Sequence, residues 1–228
     1  MTLKLSEPIL YLITPGAATE STTASSDEFQ RILDQVSAAV VSGIQLIQLR
    51  EKNLPARVLH ELTERVVEIS RGSFTKVLVN DRADIAAGAG ADGVHLSTRS
   101  LEPKVVRAAF GDNFMIGAST HSLAEATAAR DGGADFAVLG PVFETKSKVK
   151  YGPALGLAVL ANTCAALKPF PIIALGGLSE VNVSECLNAG ASGIAGISLF
   201  SNPAAIVASV KSIRDNVSTS GARKHVQE

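Results

Sequence analysis

Short apolar runs alternate with helical stretches along the whole chain, and this alternation restricts the fold more than any other feature of the sequence. Eight runs are strand-like, from 9–14 near the start to 172–175 and 194–197 near the end, and each is followed by a stretch with helical periodicity. Strands that are joined through helices pair in parallel within one sheet. The sequence therefore predicts an α/β protein with a single (β/α)8 TIM barrel. A doubly wound sheet is the alternative, but such sheets rarely contain eight regular units.

Composition indicates one domain without a strongly charged surface. No linker-like change in composition divides the 228 residues, so we expect a single domain over 1–228, with a core of about 8–216 and a disordered polar tail at 218–228. The net charge of -1 argues against nucleic-acid and membrane-surface partners. No apolar run approaches the roughly 18 residues of a membrane span, and the first residues do not resemble a signal peptide. A cytoplasmic protein is expected.

Polar residues and glycines follow the predicted strands. In a (β/α)8 barrel the carboxyl ends of all strands open onto one mouth, where chemistry takes place. The residues at these ends are Arg50, Lys52, Asn80, Asp81, Ser119, His121, Thr145, Ser147, Lys148, Gly176, Gly177 and Ser198. Cations, hydroxyls and glycine amides outnumber carboxylates among them, so the sequence predicts an anionic ligand with more than one phosphate position. Taken alone, the Gly176–Gly177 pair would equally indicate a tight turn.

Several motifs, in order along nearly the whole chain, resemble the thiamin phosphate synthase/TenI family. They occupy 48–52 (QLREK), 79–86 (VNDRADIA), 91–96 (ADGVHL), 140–145 (GPVFET) with Ser147 and Lys148, and 174–178 (ALGGL). The family fold is a (β/α)8 barrel, in agreement with the strand count. Its synthases join an aminomethylpyrimidine pyrophosphate to a thiazole phosphate and release pyrophosphate.

The resemblance also implies a role for each matching residue. The pyrimidine diphosphate would be held by Gln48, Arg50, Lys52 and Asn80, and the leaving pyrophosphate by Ser119 and Lys148. The thiazole and its phosphate would be surrounded by Thr145, Ser147, Gly177, Ile197 and Ser198, with Gly176 in the same turn. A phosphorylated thiazole is thus the expected small-molecule partner, and a homo-oligomer is possible.

One position departs from the synthase pattern. The synthases carry an Asp five residues after the His of the fourth strand, and that Asp shares Mg2+ with the Asp that follows the third strand. Here Ser100 stands at that position, so the usual pair is reduced to Asp81, unless Glu102 replaces the missing ligand. The stretch from His95 to Ser100 is closer to TenI-type members, which move a proton to aromatise a thiazole carboxylate phosphate.

Three interpretations follow from this departure. The first is a TenI-like thiazole tautomerase that needs no metal, in which His121 is the catalytic residue, because imidazole can take and return a proton near neutral pH. The alternative is a thiamin phosphate synthase that uses Mg2+ through Asp81. The third is a non-catalytic phosphate-binding regulator. His95 lies inside a strand and is expected to be a packed, hydrogen-bonded barrel residue.

Overall fold

The computed structural model describes residues 8–145 and 153–224, with side chains to 217. Eight parallel strands close into a barrel in sequence order, which confirms the predicted (β/α)8 fold. The strands are β1 (Ile9–Ile13), β2 (Leu46–Leu49), β3 (Lys76–Asn80), β4 (Gly93–Leu96), β5 (Met115–Thr120), β6 (Phe136–Leu139), β7 (Ile172–Leu175) and β8 (Gly193–Gly196). The helices are α1 (Asp27–Val41), α2 (Ala56–Ser70), α3 (Ala83–Gly88), α4 (Pro103–Phe110), α5 (Leu123–Asp131), α6 (Gly156–Leu167), α7 (Val183–Asn188) and α8 (Pro203–Lys224).

The strand residues divide between two hydrophobic clusters. One fills the barrel interior and includes Tyr11, Leu78 and Phe136, and the larger one lies between the strands and the surrounding helices. This division arises because successive side chains of a strand point to opposite faces of the sheet. Gly117 in β5 makes room in the interior, since a Cβ there would lie 2.4 Å from the Phe136 ring and 2.7 Å from Nδ1 of His95.

The loop between β1 and α1 is held by a buried carboxylate. Glu51, which is 2% exposed, accepts hydrogen bonds from the amides of Gly16 at 3.0 Å and Ala18 at 2.9 Å. Two backbone amides thus compensate the burial of this charge. The interaction fixes the β1–α1 loop to the residues that follow β2, beside the mouth.

The structure sets the boundaries of α7, β5 and α8. α7 begins at Val183, after a turn that Oδ1 of Asn182 closes by accepting a hydrogen bond from the Ser179 amide. β5 continues to Thr120, directly before His121. α8 extends to Lys224, so its backbone is helical over most of the tail that was expected to be disordered.

Within 8–145 and 153–224, every helix is too short or too polar to cross a bilayer.

Candidate active site

Two cations follow β2 at the mouth of the barrel. The side chains of Arg50 and Lys52 form no ion pair with any residue in the described part of the chain. Partial burial lowers the pKa of Lys52, and the positive charges of Arg50 and Arg99 lower it further. Lys52 and Arg99 line a cleft of about 420 Å³. The nearby Asp81 carboxylate acts in the opposite direction and raises the pKa of Lys52, so it offsets part of this positive charge. The remaining excess of like charges favours the binding of an anion.

Asp81 faces this cleft and is surrounded by donors. It adopts a left-handed backbone conformation with φ of 59°. Oδ1 accepts from the Ser97 amide at 2.7 Å and from the Ser100 hydroxyl, and Oδ2 accepts from the Ser97 hydroxyl at 3.0 Å and from the Asn80 amide group at 2.9 Å. Burial alone would raise the pKa of Asp81, but the hydrogen bonds from Ser100 and Ser97 outweigh it and hold the pKa below its usual range.

These residues do not fit a Mg2+ ion held by a carboxylate pair. All four acceptor positions of Asp81 are occupied by protein donors, and Ser100 is one of them. Glu102 does not replace the missing carboxylate, because it pairs with Lys104 at 2.7 Å on the exposed start of α4. No group of three or more potential metal ligands occurs among the described residues. The Mg2+ of the synthase alternative therefore has one candidate protein ligand here, Asp81.

A buried polar chain crosses the barrel interior from the same cleft. Gln48 donates to Oδ1 of Asn80 at 2.8 Å and accepts from the Tyr11 hydroxyl at 3.3 Å. Tyr11 contacts Nδ1 of His95 at 3.1 Å, and Nε2 of His95 lies 2.9 Å from the Ser119 hydroxyl. His95 is packed and hydrogen-bonded, as expected. The sequence analysis did not identify Tyr11 as part of the site. Its hydroxyl within the otherwise apolar β1 run indicates a buried hydrogen-bond partner.

The glycine turn after β7 provides a second position for an anion. Gly176 has φ of +101° and Gly177 has φ of +66°. No described residue accepts a hydrogen bond from the Gly177 amide. Ser198 begins a short 3-10 helix at Ser198–Phe200, directly after Ile197 and β8. Backbone amides at such a turn and at a helix start are suited to phosphate oxygens.

The loop after β6 packs against this turn. A Cβ on Gly177 would lie 2.5 Å from the Glu144 carbonyl oxygen, and one on Gly176 would lie 2.6 Å from Pro141. The glycines are thus needed for packing as well as for positive φ, which agrees with the interpretation of the pair as a tight turn. Its role in binding a phosphate stays a prediction. Thr145 is the last described residue of the loop, and the predicted contacts Ser147 and Lys148 lie outside the described residues.

His121 is held at the end of β5. Its ring Nδ1 forms a short hydrogen bond with the Gly140 carbonyl, and its backbone amide donates to Oε2 of Glu125 at 2.7 Å. Because a carbonyl oxygen only accepts, Nδ1 carries a proton. The ring therefore connects β5 to the start of the β6–α6 loop.

Comparison with known proteins agrees with these features. The family model described as thiamine monophosphate synthase (TMP-TENI) matches residues 10–200. The chain is 44% identical over 167 residues to a putative thiamine-phosphate synthase of Geobacter sulfurreducens, covering 73% of this chain and 78% of the relative. It is 39% identical over 189 residues to a thiamine-phosphate synthase of Methanoculleus marisnigri, covering 83% of this chain and 89% of the relative. A solved structure of a thiamine phosphate pyrophosphorylase of Pyrococcus furiosus superposes with a TM-score of 0.77 at 30% identity, covering 92% of this chain and 96% of that structure's chain.

These relatives overturn the tautomerase interpretation, whereas a catalytic role of His121 stays a prediction. Relatives at 37–44% identity carry the name of the synthase, which the sequence analysis placed second. The error came from giving one position, Ser100, more weight than the agreement over the rest of the chain. The structure shows Ser100 as a hydrogen-bond donor to Asp81. The chain thus belongs to the thiamine monophosphate synthase family of thiamin-biosynthesis enzymes.

Proposed function

We propose that the protein is a thiamine-phosphate synthase. The thiazole ring nitrogen forms a bond to the methylene carbon of the aminomethylpyrimidine, and the bond from that carbon to the diphosphate oxygen breaks. Pyrophosphate leaves with the electron pair of that bond. The observation that supports the proposal is that a cluster of cations after β2 and a glycine turn after β7 lie at strand ends of one closed parallel barrel, and therefore at the same mouth.

The position after β2 suits the pyrimidine diphosphate. Arg50 and Lys52 supply positive charge that no described carboxylate neutralises by an ion pair. Gln48 and Asn80, whose amides bond to each other at 2.8 Å, offer hydrogen bonds to the ring beside these charges. A hydrogen bond to a charged group contributes about 1.5–3 kcal/mol, so the two cations account for a substantial part of the binding.

The position after β7 suits the thiazole phosphate. The Gly177 amide and the start of the 3-10 helix at Ser198 bind the phosphate oxygens in this proposal, and Ile197 and Gly176 border the ring. Thr145 lies on the loop that packs against the glycine turn, close to the same position. The strands between the two positions separate the phosphate of one substrate from the diphosphate of the other.

The protein's own cations stabilise the transition state. Negative charge grows on the diphosphate as its bond to carbon breaks, and preorganised positive groups stabilise that charge without reorganising. Arg50 and Lys52 serve this role, and Ser119 and Lys148 are proposed to contact the same leaving group. The described residues do not form the carboxylate pair that would hold Mg2+.

The two cysteines bear on the cellular setting of the protein. Cys164 and Cys186 are both free thiols. Burial raises the pKa of Cys164 to about 11 and of Cys186 to about 12. Unreactive, unbonded thiols are typical of a reducing compartment, and they support the expected cytoplasmic location.

The experiment measures product and pyrophosphate together. The purified protein is incubated with aminomethylpyrimidine pyrophosphate and thiazole phosphate, and equal amounts of thiamine phosphate and pyrophosphate are expected. Lys52→Met, which keeps the side-chain length and removes the charge, should lower kcat/KM by about tenfold to a hundredfold. Lys211→Met, on the exposed side of α8, is the matched control and should keep the native rate. Absence of both products with the native protein would refute the proposal.

A further inference from the structure

Five hydrogen bonds connect Asp81 at one side of the mouth to Ser119 at another, through the barrel interior. The first two bonds join Oδ2 of Asp81 to Nδ2 of Asn80 (2.9 Å) and Oδ1 of Asn80 to Nε2 of Gln48 (2.8 Å). The next two join Oε1 of Gln48 to the Tyr11 hydroxyl (3.3 Å) and that hydroxyl to Nδ1 of His95 (3.1 Å). The last joins Nε2 of His95 to the Ser119 hydroxyl (2.9 Å). The central members are shielded from solvent, since Gln48 and His95 are 2% exposed and Tyr11 is fully buried.

The carboxylate end sets the direction of the first bonds. Asp81 receives the Ser97 amide and two hydroxyls besides Asn80, so it acts as an acceptor. The group of Asn80 that faces it must then be the NH₂, which turns the Asn80 oxygen toward Gln48. Gln48 must donate to that oxygen, so its own oxygen faces Tyr11. Each amide is oriented by the one before it.

The same logic fixes the proton positions at the other end. The Tyr11 hydroxyl has one proton, which it donates to Gln48, so Nδ1 of His95 must donate to Tyr11. Burial lowers the pKa of His95 to about 4, and the neutral ring therefore has a single proton, at Nδ1. Nε2 is then an acceptor, and the Ser119 hydroxyl donates to it.

We propose that Tyr11 and His95 are positioning residues that transmit the orientation set by Asp81 to Ser119. Asn80 and Gln48 are oriented from Asp81 directly and Ser119 through Tyr11 and His95, so these three expected substrate contacts share one defined pattern of donors and acceptors. In the ligand-free protein the Ser119 hydroxyl donates its proton to His95, and it must turn that proton away from His95 to donate a hydrogen bond to the diphosphate. The inference rests on the proposed function only in naming these three residues as substrate contacts.

The test reverses the chain at its origin and measures the result at His95. In Asp81→Asn, an NH₂ group takes the place of Oδ2 and would oppose the NH₂ of Asn80, so Asn80 and then every later member must turn over. Asn tolerates the left-handed conformation of this position. Nitrogen-15 spectra of the ligand-free protein report which ring nitrogen of His95 carries the proton. The chain has four histidines, and substitution of each by Gln assigns the signals.

We expect the proton at Nδ1 in the native protein and at Nε2 in Asp81→Asn. The matched control is Asp84→Asn, which removes a nearby carboxylate that pairs with Arg82 outside the chain of hydrogen bonds; it should leave His95 unchanged. A native proton at Nε2, an unchanged His95 in Asp81→Asn, or an equal change in Asp84→Asn would each overturn the proposal.

A second variant interrupts the chain without altering its ends. Tyr11→Phe removes the hydroxyl that links Gln48 to His95, so adding Asp81→Asn in this background should no longer move the His95 proton. A proton that still moves would show that the signal does not pass through Tyr11. In the coupling assay, Tyr11→Phe should raise KM for the pyrimidine diphosphate by about tenfold, and KM for the thiazole phosphate should change by less than about twofold. If the native protein lacks synthase activity, only this last measurement is lost, and the nitrogen spectra still decide.

Discussion

His95 should make the stability of the protein depend on pH. The ring is buried in the barrel between Tyr11 and Phe136, with centroid distances of 5.8 and 6.1 Å, and burial lowers its pKa to about 4. In the unfolded chain the pKa returns to about 6.5. Between these values the unfolded state binds a proton that the folded state does not, so the free energy of unfolding falls as pH falls from about 6.5 to about 4.

The two pKa values set the size of the effect. From pH 7 to pH 5, the proton taken up by unfolded His95 should lower the free energy of unfolding by about 2 kcal/mol. The measurement is urea unfolding at both pH values, for the native protein and for His95→Gln, which has no titrating ring. Other titrating groups contribute to both proteins, so the difference between the two pH dependences isolates His95. An equal loss of stability in both proteins would refute the reasoning, because it would mean that the folded ring takes up a proton as readily as the unfolded one.

Three further predictions concern the mouth. Ser100→Asp should raise the affinity for Mg2+ about tenfold or more in titration calorimetry. A second carboxylate about 4 Å from a divalent ion adds about 2 kcal/mol of attraction even at the dielectric constant of water. Unchanged affinity would mean that the missing carboxylate is not what limits metal binding. Gly177→Ala should weaken thiazole phosphate binding about tenfold, because its Cβ would meet the Glu144 carbonyl and displace the turn; equal affinity in a folded variant would remove the turn from the phosphate site. His121→Ala should lower the coupling rate by less than about tenfold and preserve the shape of the pH–rate profile, because the His121 ring positions the β6–α6 loop. A loss of about 10²–10⁴-fold would instead indicate acid–base catalysis by His121.

The barrel could be predicted from local patterns alone. Each apolar run is short and bounded by a glycine or a polar cluster, and each is followed by a helical period, so strand and helix follow from residues near one another in sequence. Closure of eight parallel strands then brings every polar strand end to one mouth. For this reason Arg50, Lys52 and Gly177 could be named as candidates before their positions were known.

The contacts between different strands could not be predicted in this way. Tyr11 and His95 are 84 residues apart, and each taken alone reads as an ordinary buried residue of a strand. The chain that they form depends on the register of β1 to β5 and on the space left by Gly117, which no local pattern contains.

Ser100 shows the same division between sequence and structure. The sequence determined that a hydroxyl stands where the family pattern has a carboxylate, and that difference was given too much weight in assigning the activity. Only the tertiary structure decided what the hydroxyl does, because β3 and β4 pair in a register that brings Ser97 and Ser100 onto Asp81. Local sequence thus determined which groups are present at the mouth. Packing of distant strands decided which of those groups are paired with each other and which remain available to a ligand.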